Sequence, residues 1–293
     1  MKKIMTLLIV ITTPIFAQCD WNGDGQLDIM DVVGTVDCIL TAGCWGSNIY
    51  GCIDPAASNY DQTATIDDCS CEYDDFVVCG DTFTDYDGNV YETVQIGNQC
   101  WMAENLKVTH YNDGTPIPTG YSVNDWVNLS TGAYAVYPAN NDAASIATCG
   151  GDCASVYGNL YNWHAVDTGN LAPAGWHIPT DNEWTELEDF ITNDGNSGIE
   201  GNALKEVGYA HWDNDGDPNH LGLDIYDFTA LPGGCRNSSN GNYGNMGNYA
   251  YFWSSTEYYN LNAWYRVLSC SNSEVYRNTP IKTYGFAARL VRD

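Results

Sequence analysis

The apolar positions of this chain fall into blocks that differ in spacing. Ile4 to Ala17 is a short, nearly continuous apolar run behind Lys2 and Lys3. Val32, Val33, Val36, Ile39 and Leu40 share one stripe and predict a short amphipathic helix. Residues 47–75 show almost no apolar periodicity. From residue 76 onward, strand-like runs recur at Val90–Ile96, Phe228–Leu231, Tyr249–Trp253, Trp264–Leu268 and Phe286–Val291. Turn signals separate them at Asp87-Gly88-Asn89, Gly233-Gly234 and Asn240-Gly241. Thr180 and Glu183 form a capping box, and Trp184, Leu187, Phe190 and Ile191 extend one face of the helix behind it. A second short helix is predicted near Gly201–Val207. Few helices among many short strands joined by long loops give an α+β fold class.

Composition sharpens this picture. The 293 residues carry 10 Lys+Arg against 38 Asp+Glu, a formal charge of −28. That balance excludes electrostatic binding to nucleic acid or to an anionic membrane surface. It suits divalent cations and neutral sugars. With 10 Trp, 21 Tyr and 7 Phe, most of the chain is expected to bury a core. Beyond Cys235 the balance reverses, because Arg236, Arg266, Arg277, Lys282, Arg289 and Arg292 face only Glu257, Glu274 and Asp293. These cations either tie loops to backbone carbonyls and to acids of the preceding region, or form a cationic lip for an anionic glycan or a partner.

Residues 1–17 have the charged start and short apolar run of a signal peptide, and the run is too short to span a membrane. Cleavage after Ala17 leaves Gln18, whereas a lipid anchor on Cys19 calls for a small residue there. The mature chain is expected to be secreted or held at the cell surface, and not membrane-integral. It keeps all 12 cysteines, an even number expected to be fully oxidised. Cys79 and Cys100 bracket a hairpin predicted over 82–94. Cys149 and Cys153 suit a small loop clasp, and Cys235 and Cys270 lie on strands expected to be neighbours. Spacing leaves the partners of Cys19, Cys38, Cys44 and Cys69 open.

Residues 18–46 read as a calcium loop followed by a helix. Asp20, Asn22, Asp24, Asp28 and Asp31 place oxygens at loop positions 1, 3, 5, 9 and 12. Gly25 stands where the chain must turn sharply, and Gln26 contributes a backbone carbonyl. These residues resemble one repeat of a type I dockerin, present here as a single copy with Ile29 and Met30 where many such repeats carry Ser or Thr. Residues 47–75 resemble a short GCxDPxAxNYxxxAxxDDxSC repeat of secreted bacterial proteins. That resemblance implies that Cys52 and Cys71 close the unit, with Asp54, Asn59, Asp61, Asp67 and Asp68 as candidate calcium donors and a spacer role as the default.

Residues 76–293 form the main domain. The run from Asp85-Tyr86-Asp87-Gly88-Asn89 through Gln99-Cys100-Trp101-Met102 to Asn105-Leu106-Lys107 is long and specific. It is followed by Tyr157-Gly158-Asn159-Leu160-Tyr161-Asn162-Trp163, Gly175-Trp176-His177-Ile178-Pro179, Phe252-Trp253-Ser254-Ser255-Thr256-Glu257 and Gly285-Phe286 with Arg289. These motifs resemble the Fibrobacter succinogenes major paralogous domain, which implies a secreted, often multi-modular protein. The C-terminal half also resembles C-type-lectin-fold proteins of the formylglycine-generating type. That likeness implies a C-type-lectin-like domain presenting a variable loop surface, and it keeps an oxidase using Cys235 and Cys270 as an alternative.

Candidate chemistry is sparse. Asp213, Asp215 and Asp217 alternate in a way that suits a second calcium site, with an exposed turn or a site using His211 and His220 as alternatives. Glu183, Glu186 and Glu188 read as a solvated helix face, and His110, His164 and His177 as packed hydrogen-bonders. Tyr243, Tyr249, Tyr258 and Tyr259, with Arg236 and Arg266, are placed on a binding face over 233–262, because flat rings on loops of a rigid scaffold suit glycan or protein recognition. No GxSxG, HExxH or phosphate loop is present. The combined expectation is a secreted, calcium-binding, non-catalytic surface or matrix protein that recognises glycan or extracellular protein. Alternatives are an enzyme or accessory of a polysaccharide-degrading complex, and a structural subunit of an extracellular assembly.

The loop at 20–31 generates a direct test. Isothermal titration of the mature chain with Ca²⁺ is expected to show a site that disappears in Asp20→Ala/Asp24→Ala; equal heats in both proteins would reject the ligand set.

Overall fold

The computed structural model describes residues 49–53, 60–67, 70, 79–138 and 149–293. The expected signal peptide, the calcium loop with Asp20, Asn22, Asp24, Gln26, Asp28 and Asp31, and the helix behind it lie outside the described residues. The chain divides into two units, Met1–Phe76 and Val77–Asp293.

In the first unit, β1 (Tyr50–Gly51) and β2 (Ile66–Asp67) pair in parallel. Asp61 accepts from the Thr63 backbone N–H at 2.8 Å and from its hydroxyl at 2.6 Å, so this candidate calcium donor closes a turn. Cys52 is buried and disulfide-bonded. The Cys52–Cys71 pairing and the side chains of Asp54, Asn59, Asp67 and Asp68 lie outside the described residues.

The second unit is rich in β-structure. Its strands are β3 (Thr82–Thr84), β4 (Val90–Ile96), β5 (Gln99–Met102), β6 (Tyr134–Ala135), β7 (Leu160–Asn162), β8 (Trp176–His177), β9 (Gly233–Arg236), β10 (Tyr243–Met246), β11 (Tyr249–Tyr259), β12 (Asn262–Ser269), β13 (Tyr276–Asn278), β14 (Gly285–Phe286) and β15 (Val291–Arg292). Its helices are α1 (Val123–Trp126), α2 (Cys153–Tyr157), α3 (Trp163–Val166), α4 (Asp181–Ile191) and α5 (Glu200–Leu204), of which only α4 exceeds six residues. The sheets run β3-β4-β5-β15-β8, β10-β9-β14-β7-β6 and β11-β12-β13. Strands from the two ends of the unit meet in the first sheet, where Val291 of β15 lies opposite Trp101 of β5 and His177 of β8.

Several strands are apolar on both faces because each divides two cores. On β11, Tyr251 and Trp253 pack with Tyr161, Trp163 and Phe286, whereas Ala250 and Phe252 pack with Trp101, Trp184 and Phe228. Cys100 and Met102 of β5 enter the first core, and Trp101 enters the second. Strands buried on both sides read as unbroken apolar runs, as Tyr249–Trp253 does. Two of the large rings keep their polar edges satisfied: Trp253 Nε1 donates to the Tyr161 carbonyl at 2.8 Å, and Trp163 Nε1 to the Ser254 carbonyl at 2.9 Å.

Local signals set the best-matched elements. β4 occupies the alternating run Val90–Ile96, and Thr180 and Glu183 make both halves of the capping box on α4. Three expectations change. Phe228–Leu231 is an irregular segment joined to Lys205 by an isolated Lys205–Ala230 bridge rather than a strand. Its shape is set by Asp224, Asp227 and Thr229, all at positive φ, with Asp224 accepting from the Thr229 backbone and hydroxyl at 2.7 Å each. Gly233-Gly234 lies within β9, where the Gly244 carbonyl stands 2.4 Å from where a Gly234 Cβ would be, so only glycine fits. The Gly201–Val207 helix ends at Leu204.

The Cys79–Cys100 and Cys149–Cys153 disulfides are present. Cys235 and Cys270 are both free and buried, which corrects the expected pair. They belong to different cores: Cys235 packs with Trp253 and Phe286, and Cys270 with Leu204 and Leu268.

Cations of the second unit hold loops through carbonyl oxygens. Arg289 is 0% exposed, and its Nε donates to Asn105 Oδ1 at 3.0 Å. Its Nη1 donates to the Met102 carbonyl at 3.1 Å and to the Phe228 carbonyl, and its Nη2 to the Thr229 carbonyl at 3.0 Å. Lys205 Nζ likewise donates to the carbonyls of His220, Ser269 and Asn272 at 2.7, 2.9 and 3.0 Å, and burial draws its pKa down to about 8. His177 clasps the last strand, with Nε2 2.8 Å from Glu183 Oε1 and Nδ1 2.5 Å from Asp293 Oδ1. Glu183 is thus part of a clasp and Glu188 pairs with Arg266, so the helix face read as solvated is engaged.

Two measurements follow from these contacts. Arg289→Met strands three carbonyls and an amide oxygen at a buried site, so denaturant unfolding is expected to show a loss of about 3 kcal/mol or more; a loss under about 1 kcal/mol would mean that the carbonyls find other donors. The His177 pKa is raised chiefly by its hydrogen bond to Glu183, so the stability it supplies is full below its unfolded value of 6.5 and is lost as pH rises through the higher folded value. The Glu183 carboxyl lies lower than usual despite burial, through His177 and the Thr180 contacts, so its share is lost only in acid. The melting-temperature gap between wild type and His177→Gln is therefore expected to narrow from pH 6 to pH 9, and a gap independent of pH would refute the clasp.

Candidate binding cleft

A cleft of about 350 Å³ opens between the β9–β10 ladder and the β11-β12-β13 sheet of the second unit. Its position follows from strand alternation. Tyr251 on β11 and Tyr265 on β12 point to the same face, on which Tyr265 lies opposite both Trp253 and Asn278 of β13. Phe286 of β14 lies under that face as a shared stacking base. The rings of Tyr251, Tyr265 and Tyr284 stand 4.8, 5.1 and 5.2 Å from it, with interplanar angles of 11°, 28° and 26°.

The opposite wall comes from β9 and β10. Tyr243, Gly244 and Met246 pair with Arg236, Cys235 and Gly233 in continuous register, which sets Asn245 opposite Gly234, both at positive φ (67° and 65°). The Asn245 amide reaches Tyr251 Oη at 2.9 Å and Cys235 Sγ at 3.9 Å. Asn237, Asn262 and Asn278 complete a set of four carboxamides on the lining, with Thr279, Pro280 and Ile281 at the rim. No lining residue carries a charge at neutral pH. Burial pushes the Cys235 thiol up to about 11 and the Tyr265 hydroxyl up to about 12, and it raises the Tyr251 hydroxyl further.

The residues proposed from sequence fall mostly elsewhere. Arg236 is buried, donating from Nε to the Gly241 carbonyl at 3.0 Å and from Nη2 to the Tyr121 carbonyl at 2.6 Å, with its guanidinium over the Trp126 ring. Arg266 is fully buried and bound to Asp181 at 2.7 Å and to Glu188. Neither forms a cationic lip. For Arg236 and Arg266 the internal-tether alternative holds, because backbone carbonyls and acids take up their donors. Tyr243 is half-buried against Tyr137, and Tyr249 stacks on Tyr251. Tyr258 and Tyr259 are 56% and 69% exposed at the β11–β12 hairpin and neither lines the cleft.

The loop acids also find internal roles. Asp213 accepts from the Asn248 amide at 2.8 Å, Asp215 lies 2.6 Å from His220 Nδ1, and Asp217 accepts from the Asn219 backbone at 2.9 Å. Among the described residues, no group of three or more His, Cys, Asp or Glu side chains could hold a metal ion. Asp215 closes a turn onto the Asp217 N–H, Asp217 caps the short helix Pro218–His220, and Asp213 holds Asn248.

Sequence reasoning missed Tyr265, Tyr284, Asn237, Asn245, Asn262 and Asn278 as one site. Asn237, Asn245 and Asn262 carried a signal, because they lie in the 233–262 segment singled out for recognition. Among the described residues, no helix is long and apolar enough to cross a membrane. Comparison with curated proteins and with solved structures gives no match. The family model described as the Fibrobacter succinogenes major domain matches residues 94–292, a span that contains β5 through β15 and every residue of the cleft. The chain therefore belongs to the Fibrobacter succinogenes major domain family.

Proposed function

We propose that this is an exported, calcium-binding, non-catalytic surface or matrix protein whose C-type-lectin-like second unit recognises glycan or extracellular protein through the cleft. The observation that carries this reading is the chemistry of the lining: stacked tyrosines and carboxamides, with neither a carboxylate nor a histidine among them. General acid–base work needs a titrating group near the reacting bond. The one nucleophile there, Cys235, has its thiol raised to about 11 by burial, opposite to the lowering that activates a thiolate. The meeting of β5 and β15 supports a lectin-like organisation, since closing the unit end to end leaves long connections free to shape a surface. Calcium enters through the acidic loop at 20–31, and export through residues 1–17.

A second reading keeps one specific observation: Cys235 is an unpaired thiol on the cleft wall. An oxidase of the formylglycine-generating type would need it reactive.

A glycan array and a panel of thiol-containing peptides, both presented to the full mature chain, separate the readings. Retention on glycans that weakens about tenfold in Tyr265→Ala, with melting temperature within a few degrees, is expected for recognition. Tyr258→Ala/Tyr259→Ala should leave retention unchanged. Conversion of a peptide thiol that vanishes in Cys235→Ser would instead establish the oxidase.

A further inference from the structure

We infer that the cleft holds the terminal unit of a neutral saccharide, stacked on tyrosine rings and bound by side-chain amides and hydroxyls, without calcium. The inference rests on the recognition reading and names the ligand class of the same site.

The hydrogen-bonding capacity left over on the lining points to this chemistry. Asn237 Oδ1 already accepts from Ser239, and Asn278 Oδ1 from the Thr279 N–H at 2.8 Å, which leaves both Nδ2 groups as donors. Asn245 Nδ2 is committed to Tyr251, and Asn262 Nδ2 donates to the Thr279 carbonyl at 2.8 Å, which leaves both Oδ1 atoms as acceptors. The hydroxyls of Tyr265 and Tyr284 have no hydrogen-bond partner among the described residues and are not sealed from water. Uncharged donors and acceptors are therefore interleaved over one small surface. A sugar hydroxyl both donates and accepts, so a polyhydroxylated ring meets such a surface without leaving either kind unpaired.

Aromatic faces and size agree with that class. Tyr251, Tyr265 and Tyr284 form a stepped platform on Phe286, the kind of flat, amphipathic surface on which the C–H face of a pyranose rests. A cleft of about 350 Å³ sits at the small end of ligand sites, which fits one or two rings rather than a protein surface.

Charge excludes the acidic alternative. The cations nearest in sequence are all committed elsewhere: Arg236 to the Tyr121 and Gly241 carbonyls, Arg277 to Asp181 and the Trp264 ring, and Lys282 to Glu257. A sulfate or uronate in this cleft would meet no cation while surrounded by a strongly acidic protein. Asn245 adopts the left-handed region at φ 67°, a conformation Asn tolerates, and its carboxamide lies on the lining beside Tyr251.

The test is isothermal titration of the full mature chain, in chelator, with neutral gluco- and galacto-oligosaccharides and with their sulfated and uronic counterparts. Binding to a neutral member and not to its acidic counterpart is expected. Asn245→Gly keeps the backbone conformation and Tyr284→Phe keeps the ring, so each should weaken binding about five- to tenfold at unchanged melting temperature. Binding to acidic members only, loss of binding in chelator, no binding to any neutral member, or full affinity in both variants would overturn the inference. Acidic-glycan or protein binding that the two variants weaken would leave the recognition reading standing. A product released from any probe would overturn both.

Discussion

The second unit depends on a cation placed where no water reaches. Arg289 sits between β14 and β15 and spends its donors on Asn105 and on the carbonyls of Met102, Phe228 and Thr229. Those oxygens belong to the end of β5 and to a loop that would otherwise have no ladder partner. A guanidinium carries five donors in a rigid fork and cannot readily shed its charge, so it can replace a strand for a segment that lacks one. The rings of Phe228 and Phe252 flank it at 4.1 and 5.5 Å, which joins this polar knot to the second core. The positive φ values at Asp224, Asp227 and Thr229 are the local strain that turns the loop carbonyls inward.

The same device recurs with Lys205, Arg236 and Arg266, and it explains how a protein with so little regular helix holds together. Short strands and long loops leave many carbonyls without ladder partners, and buried polar groups must be paired. In a chain with only 10 basic residues, most cations of the second unit are consumed in this work. The surface that remains is acidic, and the cleft that remains is neutral. A ligand that needs no counter-charge is the one this distribution accommodates.

The cleft itself is a by-product of the divided core. The β11–β12 sheet presents one face to Trp184 and Phe228 and the other to Phe286, and the second face runs out of apolar cover beside β13. There the rings stay stacked while their hydroxyls meet water. Asn245 of β10, opposite Gly234 in the β9–β10 ladder, then sets a carboxamide on the lining. Rigid strands thus position side chains that in sequence stand up to some fifty residues apart.

The sequence by itself determined what is local in physical origin. The capping box on α4, the alternation of β4 and the Cys149–Cys153 bridge rest on neighbours within one element or one turn, and the Cys79–Cys100 bridge spans only the short run of β3, β4 and β5. Family membership followed because long motifs such as Gly175–Thr180 are read without knowing what they touch. Only the tertiary structure decided the rest. Arg236 and Arg266 looked like surface cations because their partners are backbone carbonyls and distant acids, which no spacing rule exposes. Cys235 and Cys270 looked paired because both lie near strands, yet the sheet sorts them into opposite cores. Asn245 and Tyr284 became one site because the β9–β10 register and the stacking of Tyr251 and Tyr284 on Phe286 brought them together.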